Sequence, residues 1–321
     1  MNCLDVKHLT ISLQRTAQLS GKQSGGRDNL VSDVNFSIEE RSTLAVIGAS
    51  GSGKTLTALA VMGLLDRSIF SVHGSCVFSA RGSANGCGVT DTGQQSIQQR
   101  ALQKDGSAAV DTATIAETAE TLPKTNTLAA PYQPVDLFTL SERGRKRYCM
   151  NHISMLYQNP FHSLSPVEKI KTHISHIAKI KRQQPEPERL DMLFEAVQLK
   201  KHEALNKYPH EFSGGELQRI MLVLSLLFKP QLLICDEPTA SLDYHTGLQI
   251  ISLLNTLKES TGMSLLFISH DISLVRDIAD TVVIMKDGQI VEAGAADRIF
   301  TQPEDTYTKE LIQASYLEKS C

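Results

Sequence analysis

The sequence contains no tryptophan, few aromatic residues and no closely spaced cysteines. Aromatic residues make up 5% of the 321 residues, and the six cysteines are scattered without a Cys-x-x-Cys pair. This spacing argues against a structural zinc site, an iron–sulfur cluster and a disulfide framework. We therefore expect reduced thiols, with Cys235 packed in the core as a small residue.

Strong net charge and long apolar segments are also missing. The formal charge is -3, so no overall basic field supports binding to nucleic acid through phosphate neutralisation. The N-terminus lacks the continuous apolar segment of a secretion signal, and no apolar run reaches the roughly 18 residues of a membrane-spanning helix. We expect a globular chain that is neither exported nor membrane-spanning by itself.

Hydrophobic patterning predicts a mixed α/β fold. Apolar residues alternate over residues 3–13 and 30–38, whereas TLAVIG at 43–48 is almost continuously apolar and is followed by an apolar helical pattern at 56–66. Further patterns predict helices at 167–205 and 272–280, a strand at 264–270, and a hairpin at 281–294 around an Asp-Gly turn. We predict strands and helices alternating around a parallel sheet, with antiparallel β additions at its edges.

Residues 80–134 differ in composition from the rest of the chain. They are rich in serine, threonine, glutamine, glycine and alanine, and poor in large apolar side chains. Such a segment cannot offset its ordering entropy by burial. We interpret residues 80–134 as a polar, mobile insertion and assign it no role.

The segment GASGSGKT at 48–55 follows the buried strand and opens the buried helix, as a phosphate-binding loop does. Glycines let backbone N–H groups point at phosphate oxygens, and the helix N-terminus adds a favourable dipole. Lys54 is expected to reach the β- and γ-phosphates, and the Thr55 hydroxyl to bind Mg²⁺. The predicted nucleotide-binding residues here are Gly48, Ala49, Ser50, Gly51, Ser52, Gly53, Lys54 and Thr55.

Two consecutive carboxylates end the apolar strand at 232–235. Taken alone, Asp236 and Glu237 would be interpreted as a solvated strand end, but the phosphate loop supplies a reason for them. A metal ion, with Lys54 beside it, would provide the positive charge that two adjacent acids need. We predict that Asp236 holds Mg²⁺ through its water shell and that Glu237 is the base for the attacking water.

The segment FSGGELQR at 212–219 narrows the interpretation, because it resembles the signature sequence of ABC ATPases. Gln158, the segment SLD at 241–243 and His270 then occur in the order of that family's Q-loop, D-loop and switch histidine. The resemblance covers nearly all of the chain. The chain is therefore identified as similar to the nucleotide-binding subunit of an ABC transporter.

The resemblance implies an α/β fold of the ABC-type P-loop NTPases. This fold has a parallel core sheet, an antiparallel β subdomain and a helical signature subdomain. On this chain the nucleotide-binding domain would span 1–300, with the helical subdomain at about 160–228 and a short C-terminal tail at 301–321.

The resemblance also implies the roles of several residues. Glu237, His270 and Gln158 would be catalytic, with His270 contacting the γ-phosphate; Thr55, Gln158 and Asp236 would bind Mg²⁺. The signature segment begins a helix with exposed N–H groups, an anion site without a lysine, and the family geometry places it against the phosphate loop of a second subunit. ATP is thus expected between two subunits. The further nucleotide-binding residues are Ser213, Gly214, Gly215, Glu216 and Asp243.

Several segments look like those of the ATPases of dipeptide, oligopeptide and nickel importers. They are VKHLTISL, LVSDVNFSI, DLFTLSERGRKRYCMNHISMLYQNP, YPHEFSGGELQR and the tail QPEDTYTKELIQAS. This resemblance implies a second, non-identical ATPase subunit, two membrane permeases and an extracytoplasmic solute-binding protein, with this chain at the cytoplasmic face of the membrane and no nucleic-acid partner. The tail at YLEKSC lacks a cysteine-rich extension and is closer to the nickel branch. The expected solutes are nickel, metal chelates, or di- and oligopeptides.

Two other functions stay open. The alternatives are an ABC exporter and a soluble ABC ATPase acting on DNA or ribosomes; the single set of motifs and the slight negative charge disfavour the latter.

No aromatic residue occurs near Leu13, where the family commonly stacks adenine, so we expect aliphatic packing there. His173 and His176 lie at i and i+3 on a predicted helix; without a nearby carboxylate we interpret them as surface residues or permease contacts.

Overall fold

The computed structural model describes residues 1–14, 29–81, 133–159 and 163–318. Except for its ends, the segment predicted as an insertion at 80–134 lies outside these residues. Met1–Ala80 and Pro134–Cys321 form one compact unit. Everything below concerns the described residues of that unit and the adjoining Gln133.

Ten β-strands in the described residues form two sheets. The strands are β1 (Asn2–Leu13), β2 (Asn29–Glu39), β3 (Thr43–Ile47), β4 (Phe70–Ala80), β5 (Gln133–Asp136), β6 (Ile153–Leu156), β7 (Leu232–Asp236), β8 (Ser264–Ser269), β9 (Thr281–Lys286) and β10 (Gln289–Ala295). The smaller sheet has the order β2-β1-β4-β5, and the larger has the order β10-β9-β3-β8-β7-β6.

The larger sheet is parallel except at one edge. Strand β3 pairs in parallel with β8 and β9, and β7 pairs in parallel with β6 and β8, whereas β10 runs antiparallel to β9. Every residue of β3, β7 and β8 is buried, as their continuous apolar runs indicate. In the smaller sheet β1 pairs antiparallel with both β2 and β4. The predicted parallel core sheet with an antiparallel β subdomain is confirmed.

Helices connect and cover these strands. In the described residues they are α1 (Lys54–Met62), α2 (Glu142–His152), α3 (Ile170–Lys181), α4 (Pro187–Ala196), α5 (Lys201–Asn206), α6 (Gly214–Leu226), α7 (Tyr244–Thr261), α8 (Ile272–Arg276), α9 (Ala296–Thr301) and α10 (Thr306–Glu318), with a 3-10 turn at Pro209–Glu211. Helix α4 begins at a proline, whose missing N–H costs nothing in a first turn. No helix among the described residues combines the length and apolarity needed to cross a membrane.

The larger sheet separates two hydrophobic clusters. Successive residues of β3 face opposite sides: Ala45 and Ile47 pack with helices α6 and α7, while Leu44 and Val46 pack with α1 and the smaller sheet. This alternation follows from the two-residue period of a strand. The central strands are thereby covered on both faces, and their ends are the free positions for polar side chains.

The hairpin between β9 and β10 turns at Asp287 and Gly288, as predicted. Both residues have positive φ, 48° and 77°, which is the conformation that favours an Asp-Gly pair. The Gly288 N–H donates to the Ser52 carbonyl (3.2 Å), and the Gly288 carbonyl accepts from the Ser32 N–H (2.8 Å). A β-carbon on Gly288 would lie 2.4 Å from the Leu30 carbonyl oxygen. The turn therefore joins β2 to the segment that follows β3.

Gly288→Ala is expected to lower the free energy of unfolding by about 1–3 kcal/mol, because alanine meets both an unfavourable φ and a backbone oxygen. Chemical denaturation followed by circular dichroism measures this loss. Asp287→Asn is the matched control, since asparagine also tolerates positive φ, and should change stability by less than about 0.5 kcal/mol. Equal stability of Gly288→Ala and the parent chain would contradict the packing described for this turn.

Candidate active site

Three neighbouring parallel strands bring the polar segments of the sequence together. The segment at 48–53 follows β3, Asp236 ends β7 and Glu237 comes directly after it. His270 follows β8, which lies between the other two strands. The carboxyl ends of parallel strands meet at one edge of a sheet, where α/β proteins place their ligand sites. The order of the strands thus explains how residues far apart in sequence form one site.

The loop between β3 and α1 has the backbone geometry of a phosphate cradle. Gly51 and Gly53 have φ of 83° and 98°, in the left-handed region that glycine tolerates. A β-carbon on Gly48 would lie only 2.2 Å from the Met285 carbonyl oxygen, so the loop begins in direct contact with β9. The side-chain oxygen of Ser52 is buried and has no hydrogen-bond partner among the described residues. The loop therefore offers polar groups that its own fold does not use.

Lys54, the first residue of α1, folds back over this loop. Its Nζ donates hydrogen bonds to the carbonyl oxygens of Gly48 (2.8 Å) and Ala49 (3.0 Å), and the residue is 5% exposed. Burial lowers the pKa of Lys54, and the nearby carboxylates of Glu237 and Asp236 counteract part of that effect. The lysine is thus a buried cation held at the loop.

Asp236 and Thr55 form a direct pair between β7 and α1. The Thr55 hydroxyl donates to Asp236 Oδ1 at 3.0 Å. Burial raises the pKa of Asp236; the hydrogen bond from Thr55 and the charge of Lys54 oppose this rise, while the charge of Glu237 adds to it. The carboxylate is 5% exposed and is not fully compensated by its neighbours.

Glu237 presents each of its carboxylate oxygens to a different predicted site residue. Gln158 Nε2 donates to Glu237 Oε2 at 3.0 Å, and His270 Nδ1 lies 3.3 Å from Oε1. Glu237 has a φ of 47°, rare for a residue with a side chain, and its N–H donates to the Ile268 carbonyl at 2.9 Å. This backbone turns the side chain out of the strand direction, and the three residues predicted as catalytic meet at one carboxylate.

The predicted signature and D-loop residues lie at two helix N-termini. Ser213 and Glu216 form a reciprocal capping box at the start of α6: the Ser213 N–H donates to Glu216 Oε2 at 2.9 Å, and the Ser213 hydroxyl accepts from the Glu216 N–H at 3.3 Å. Asp243 caps α7 by accepting from the Thr246 N–H at 3.0 Å. A β-carbon on Gly215 would lie 2.7 Å from a Thr246 methyl carbon, so the two helix starts touch.

A cavity of about 250 Å³ connects the carboxylate centre with the D-loop. Its lining includes Glu237 and His270 as well as Asp243 and Tyr244. The predicted catalytic group and the predicted D-loop residue therefore face the same space. Gly214 lies next to Leu242, which also lines the cavity, and Gly215 lies next to Thr246.

The sequence did not indicate one contact to the phosphate loop. The backbone N–H of Ala49 donates to the hydroxyl oxygen of Tyr307 in α10 at 3.0 Å. Tyr307 belongs to the segment that the sequence marked only as a tail with a familiar pattern. No local periodicity points to this pairing, because the two residues are 258 positions apart.

Three other expectations concern isolated residues. Cys235 is fully buried, so its interpretation as a core residue is confirmed. His173 is buried rather than on the surface, and its Nε2 lies 3.3 Å from the Ser165 carbonyl oxygen; His176 Nδ1 lies 3.6 Å from Glu168. Leu13 is 46% exposed at the end of β1. The aliphatic packing of adenine at Leu13 stays a prediction.

Comparison with known proteins identifies the family. The model of the ABC transporter family matches residues 31–240. The chain belongs to the ABC transporter family. The resemblance found in the sequence and the predicted fold class are thereby confirmed, and the chain carries the ATP-binding domain of that family.

Relatives within the ABC transporter family have names that refer to import or transport. The chain is 31% identical over 305 residues to the peptidoglycan transport ATP-binding protein YejF of Agrobacterium fabrum, with 94% of this chain and 46% of the relative covered. It is 31% identical to the oligopeptide transport ATP-binding protein OppD of Haemophilus influenzae, with 97% and 78% covered. The chain thus spans less than half of the first relative and most of the second.

Solved structures of ABC proteins share this fold. One is cbiO1 from Clostridium perfringens, described as part of the transporter complex cbiONQ, with a TM-score of 0.62, 20% identity and 99% of both chains covered. Another is the cassette MJ0796 in a dimeric post-hydrolysis state bound to ADP and Pi, with a TM-score of 0.60, 18% identity, and 91% of this chain and 98% of that chain covered. At these identities the likeness concerns the fold alone.

The donor set beside the loop fits Mg²⁺. Thr55 and Asp236 supply a hydroxyl and a carboxylate next to each other, and hard oxygen donors are the ligands this ion prefers. Within the described ranges, no group of three or more histidine, cysteine or acidic side chains could hold a metal by itself. Mg²⁺ sites commonly use one or two carboxylates and complete their shell with phosphate and water, and Asp236 is the carboxylate of this donor set.

Asp236→Asn is expected to raise the thermal unfolding midpoint of the protein at pH 8, when Mg²⁺ and nucleotide are absent. The folded pKa of Asp236 lies above its unfolded value, so the ionised carboxylate costs stability above that folded pKa, and the cost disappears as the pH falls through it. The gain should therefore shrink at pH 4, close to the ordinary aspartate pKa of about 3.9.

Differential scanning calorimetry at the two pH values measures this effect. Asp243→Asn is the matched control, because hydrogen bonds from Thr246 lower the pKa of Asp243 and its ionised form is favoured in the fold. This control should show no gain at pH 8. A lower midpoint for Asp236→Asn than for the parent chain at both pH values would contradict the described environment of Asp236.

Proposed function

We propose that this chain is the ATP-hydrolysing subunit of an ABC importer, with peptides as the class of transported solute. One observation carries the hydrolytic part of the proposal. The carboxylate of Glu237 lies between Gln158 and His270, at the same sheet edge as the buried Lys54 and the pair Thr55–Asp236. This arrangement combines a phosphate site with a positioned base.

The phosphate loop would bind the triphosphate. Backbone N–H groups of Gly51 and Gly53 and the start of α1 would supply the donors, and both glycines have the positive φ that such loops use. Lys54 is already desolvated in the loop, so its ammonium can exchange two carbonyl oxygens for phosphate oxygens without losing a hydration shell. The buried Ser52 hydroxyl is a further donor.

Glu237 would accept the proton of the attacking water. Each of its oxygens is engaged by one neighbour and keeps a second lone pair for the water. Gln158 and His270 hold the carboxylate from two sides and limit its rotation. His270, whose side chain is more than half exposed, would then contact the γ-phosphate.

Mg²⁺ would be held by Thr55, Gln158 and Asp236 together with the nucleotide. When bound, this ion neutralises charge on the β- and γ-phosphates. The contribution of the protein is positional: the Thr55 hydroxyl and the Asp236 carboxylate are adjacent before any ligand arrives. Burial raises the pKa of Asp236, so a bound cation would stabilise its ionised form.

A second ATPase subunit would complete each site. Ser213, Gly214, Gly215 and Glu216 lie at the N-terminus of α6, where backbone N–H groups form an anion site. Asp243, at the start of α7, lies beside them. We propose that these residues bind the ATP held by the partner's phosphate loop and that the partner is a non-identical chain.

The relatives favour peptides over nickel as the solute. Besides the peptidoglycan and oligopeptide proteins, they include a glutathione import ATP-binding protein, GsiA, of Pectobacterium atrosepticum, 31% identical, with 91% of this chain and 40% of the relative covered. By this reasoning the chain works at the cytoplasmic face of the membrane with two permeases and a solute-binding protein. Nickel or metal-chelate import, export, and a non-transport role on DNA or ribosomes are the competing functions.

Glu237→Gln is expected to preserve ATP binding and to reduce turnover by at least about 100-fold, because glutamine keeps the shape of the side chain but cannot take a proton. Equilibrium binding of a fluorescent ATP analogue and phosphate release by the assembled transporter measure the two quantities separately. Parent-like phosphate release from the variant would refute Glu237 as the base.

Lys54→Ala is the companion variant and should impair nucleotide binding instead of the chemical step. It removes the buried cation from the phosphate loop, so nucleotide affinity should fall at least tenfold. A Lys54→Ala chain that binds the analogue like the parent would contradict the phosphate site itself. Together the two variants distinguish a failure of binding from a failure of chemistry.

Uptake measurements test the solute class. A strain lacking this subunit should lose uptake of radiolabelled di- and oligopeptides, and a plasmid carrying the parent gene should restore it, whereas the Glu237→Gln gene should not. Radiolabelled nickel and nickel chelates serve as the comparison in the same strain. Loss of nickel uptake with normal peptide uptake would assign the chain to the nickel branch instead.

A further inference from the structure

Helix α10 reaches the phosphate loop through one side chain. The hydroxyl oxygen of Tyr307 accepts the backbone N–H of Ala49, the second residue of the loop, at 3.0 Å. Tyr307 is partly buried and packs against the cluster that contains α6 and α7. Ala49 itself is exposed, so burial of its side chain does not hold this part of the loop in place.

The Ala49 carbonyl also accepts hydrogen bonds. Lys54 Nζ donates to it at 3.0 Å, and the Ser52 N–H donates at 3.2 Å. Ala49 is therefore held by Tyr307 through its N–H and by Lys54 and Ser52 through its carbonyl. A change in the position of Ala49 would move the acceptor that locates the lysine ammonium.

Hydrogen bonds at the start of α10 fix the backbone of Tyr307 to the larger sheet. Asp305 Oδ1 accepts the N–H groups of Tyr307 (2.8 Å) and Thr308 (3.3 Å), which caps the start of α10. The carboxylate of Glu292, 7% exposed in β10, accepts the N–H groups of Glu304 (3.0 Å) and Asp305 (3.1 Å). Although burial alone would raise the pKa of Glu292, these bonds hold it below its ordinary value. The base of the tyrosine is thus fixed to the sheet.

The ring of Tyr307 is held from the same sheet. Lys286 Nζ lies 4.7 Å from the ring centroid, within the range of a cation–π contact. Lys286 ends β9, the strand that pairs with β3 and also touches Gly48 through the Met285 carbonyl. Ring, hydroxyl and backbone of Tyr307 are all constrained by elements that border the loop.

We propose that Tyr307 is a positioning residue for the phosphate loop, and that its hydroxyl keeps the empty loop in the conformation that binds nucleotide. This inference rests on the proposed function, because it takes ATP as the ligand of the loop. Tyr307 does not touch the reacting atoms. It acts through Ala49, and it makes the affinity for nucleotide depend on a helix far along the chain from the loop.

The expected loss of nucleotide affinity follows from the preorganisation of the phosphate loop. A loop released from one of its anchors samples more conformations, and the apparent dissociation constant rises in inverse proportion to the fraction that remains competent. One neutral hydrogen bond contributes enough to reduce that fraction about three- to tenfold. Tyr307→Phe removes the hydroxyl alone and keeps the ring over which Lys286 lies.

Two measurements on the full chain test the inference. Tyr307→Phe should weaken binding of a fluorescent ATP analogue about three- to tenfold, and should speed hydrogen–deuterium exchange in peptides covering residues 43–58. Exchange in peptides covering 293–315 should stay unchanged, because the Glu292 and Asp305 bonds that mount the helix remain. Tyr208→Phe, at the residue before the 3-10 turn, removes a hydroxyl elsewhere and should alter neither quantity.

The outcomes separate the inference from the proposed function. If the parent chain fails to bind the ATP analogue, the proposed function is wrong and the inference falls with it. If the parent binds but Tyr307→Phe binds equally well with an unchanged loop, Tyr307 does not position the loop. Faster exchange confined to 293–315 would also overturn the inference, since it would mean that the hydroxyl only stabilises α10.

Discussion

The parallel pairing of β3, β8 and β7 is the constraint on which the site depends. It aligns three strand ends, so that the phosphate loop, His270 and the two carboxylates face the same edge. A shift of one residue in this register would turn Asp236 toward the other face of the sheet. The continuous burial of the three strands makes such a shift costly, and the rigidity of the sheet thereby fixes distances between side chains that no local interaction links.

Only a few groups balance one another's charges at this edge of the larger sheet. A buried ammonium, a buried carboxylate and the better-exposed Glu237 lie close together, and burial disfavours the charged forms of Lys54 and Asp236. Neither group would be retained by a core selected for stability alone. The free-energy cost of burying Lys54 and Asp236 is offset if a phosphate binds the lysine and a cation binds the aspartate. Buried charges without such partners are unfavourable, so these residues pointed to the chemistry of the site.

Much of this site could be predicted from the sequence because its parts carry local signals. Glycine spacing marked the loop, the apolar strand marked the position of Asp236, and the ordered motifs marked Gln158 and His270. The Asp287–Gly288 turn was equally visible as a dipeptide. Contacts made by packing were not: nothing in the segment around Tyr307 indicates that its hydroxyl reaches Ala49, and burial of His173 depends on neighbours that sequence periodicity does not reveal.

The contacts that hold the loop have a consequence for how the protein is made. Gly48 abuts the Met285 carbonyl, Ser52 accepts from Gly288, and Ala49 is bound to Tyr307, 258 residues later. Synthesis runs from the N-terminus, so the loop leaves the ribosome before these partners do. A nascent chain can form β1 to β3 while the loop still lacks these contacts, and the loop reaches the described geometry only after residue 307 has been made.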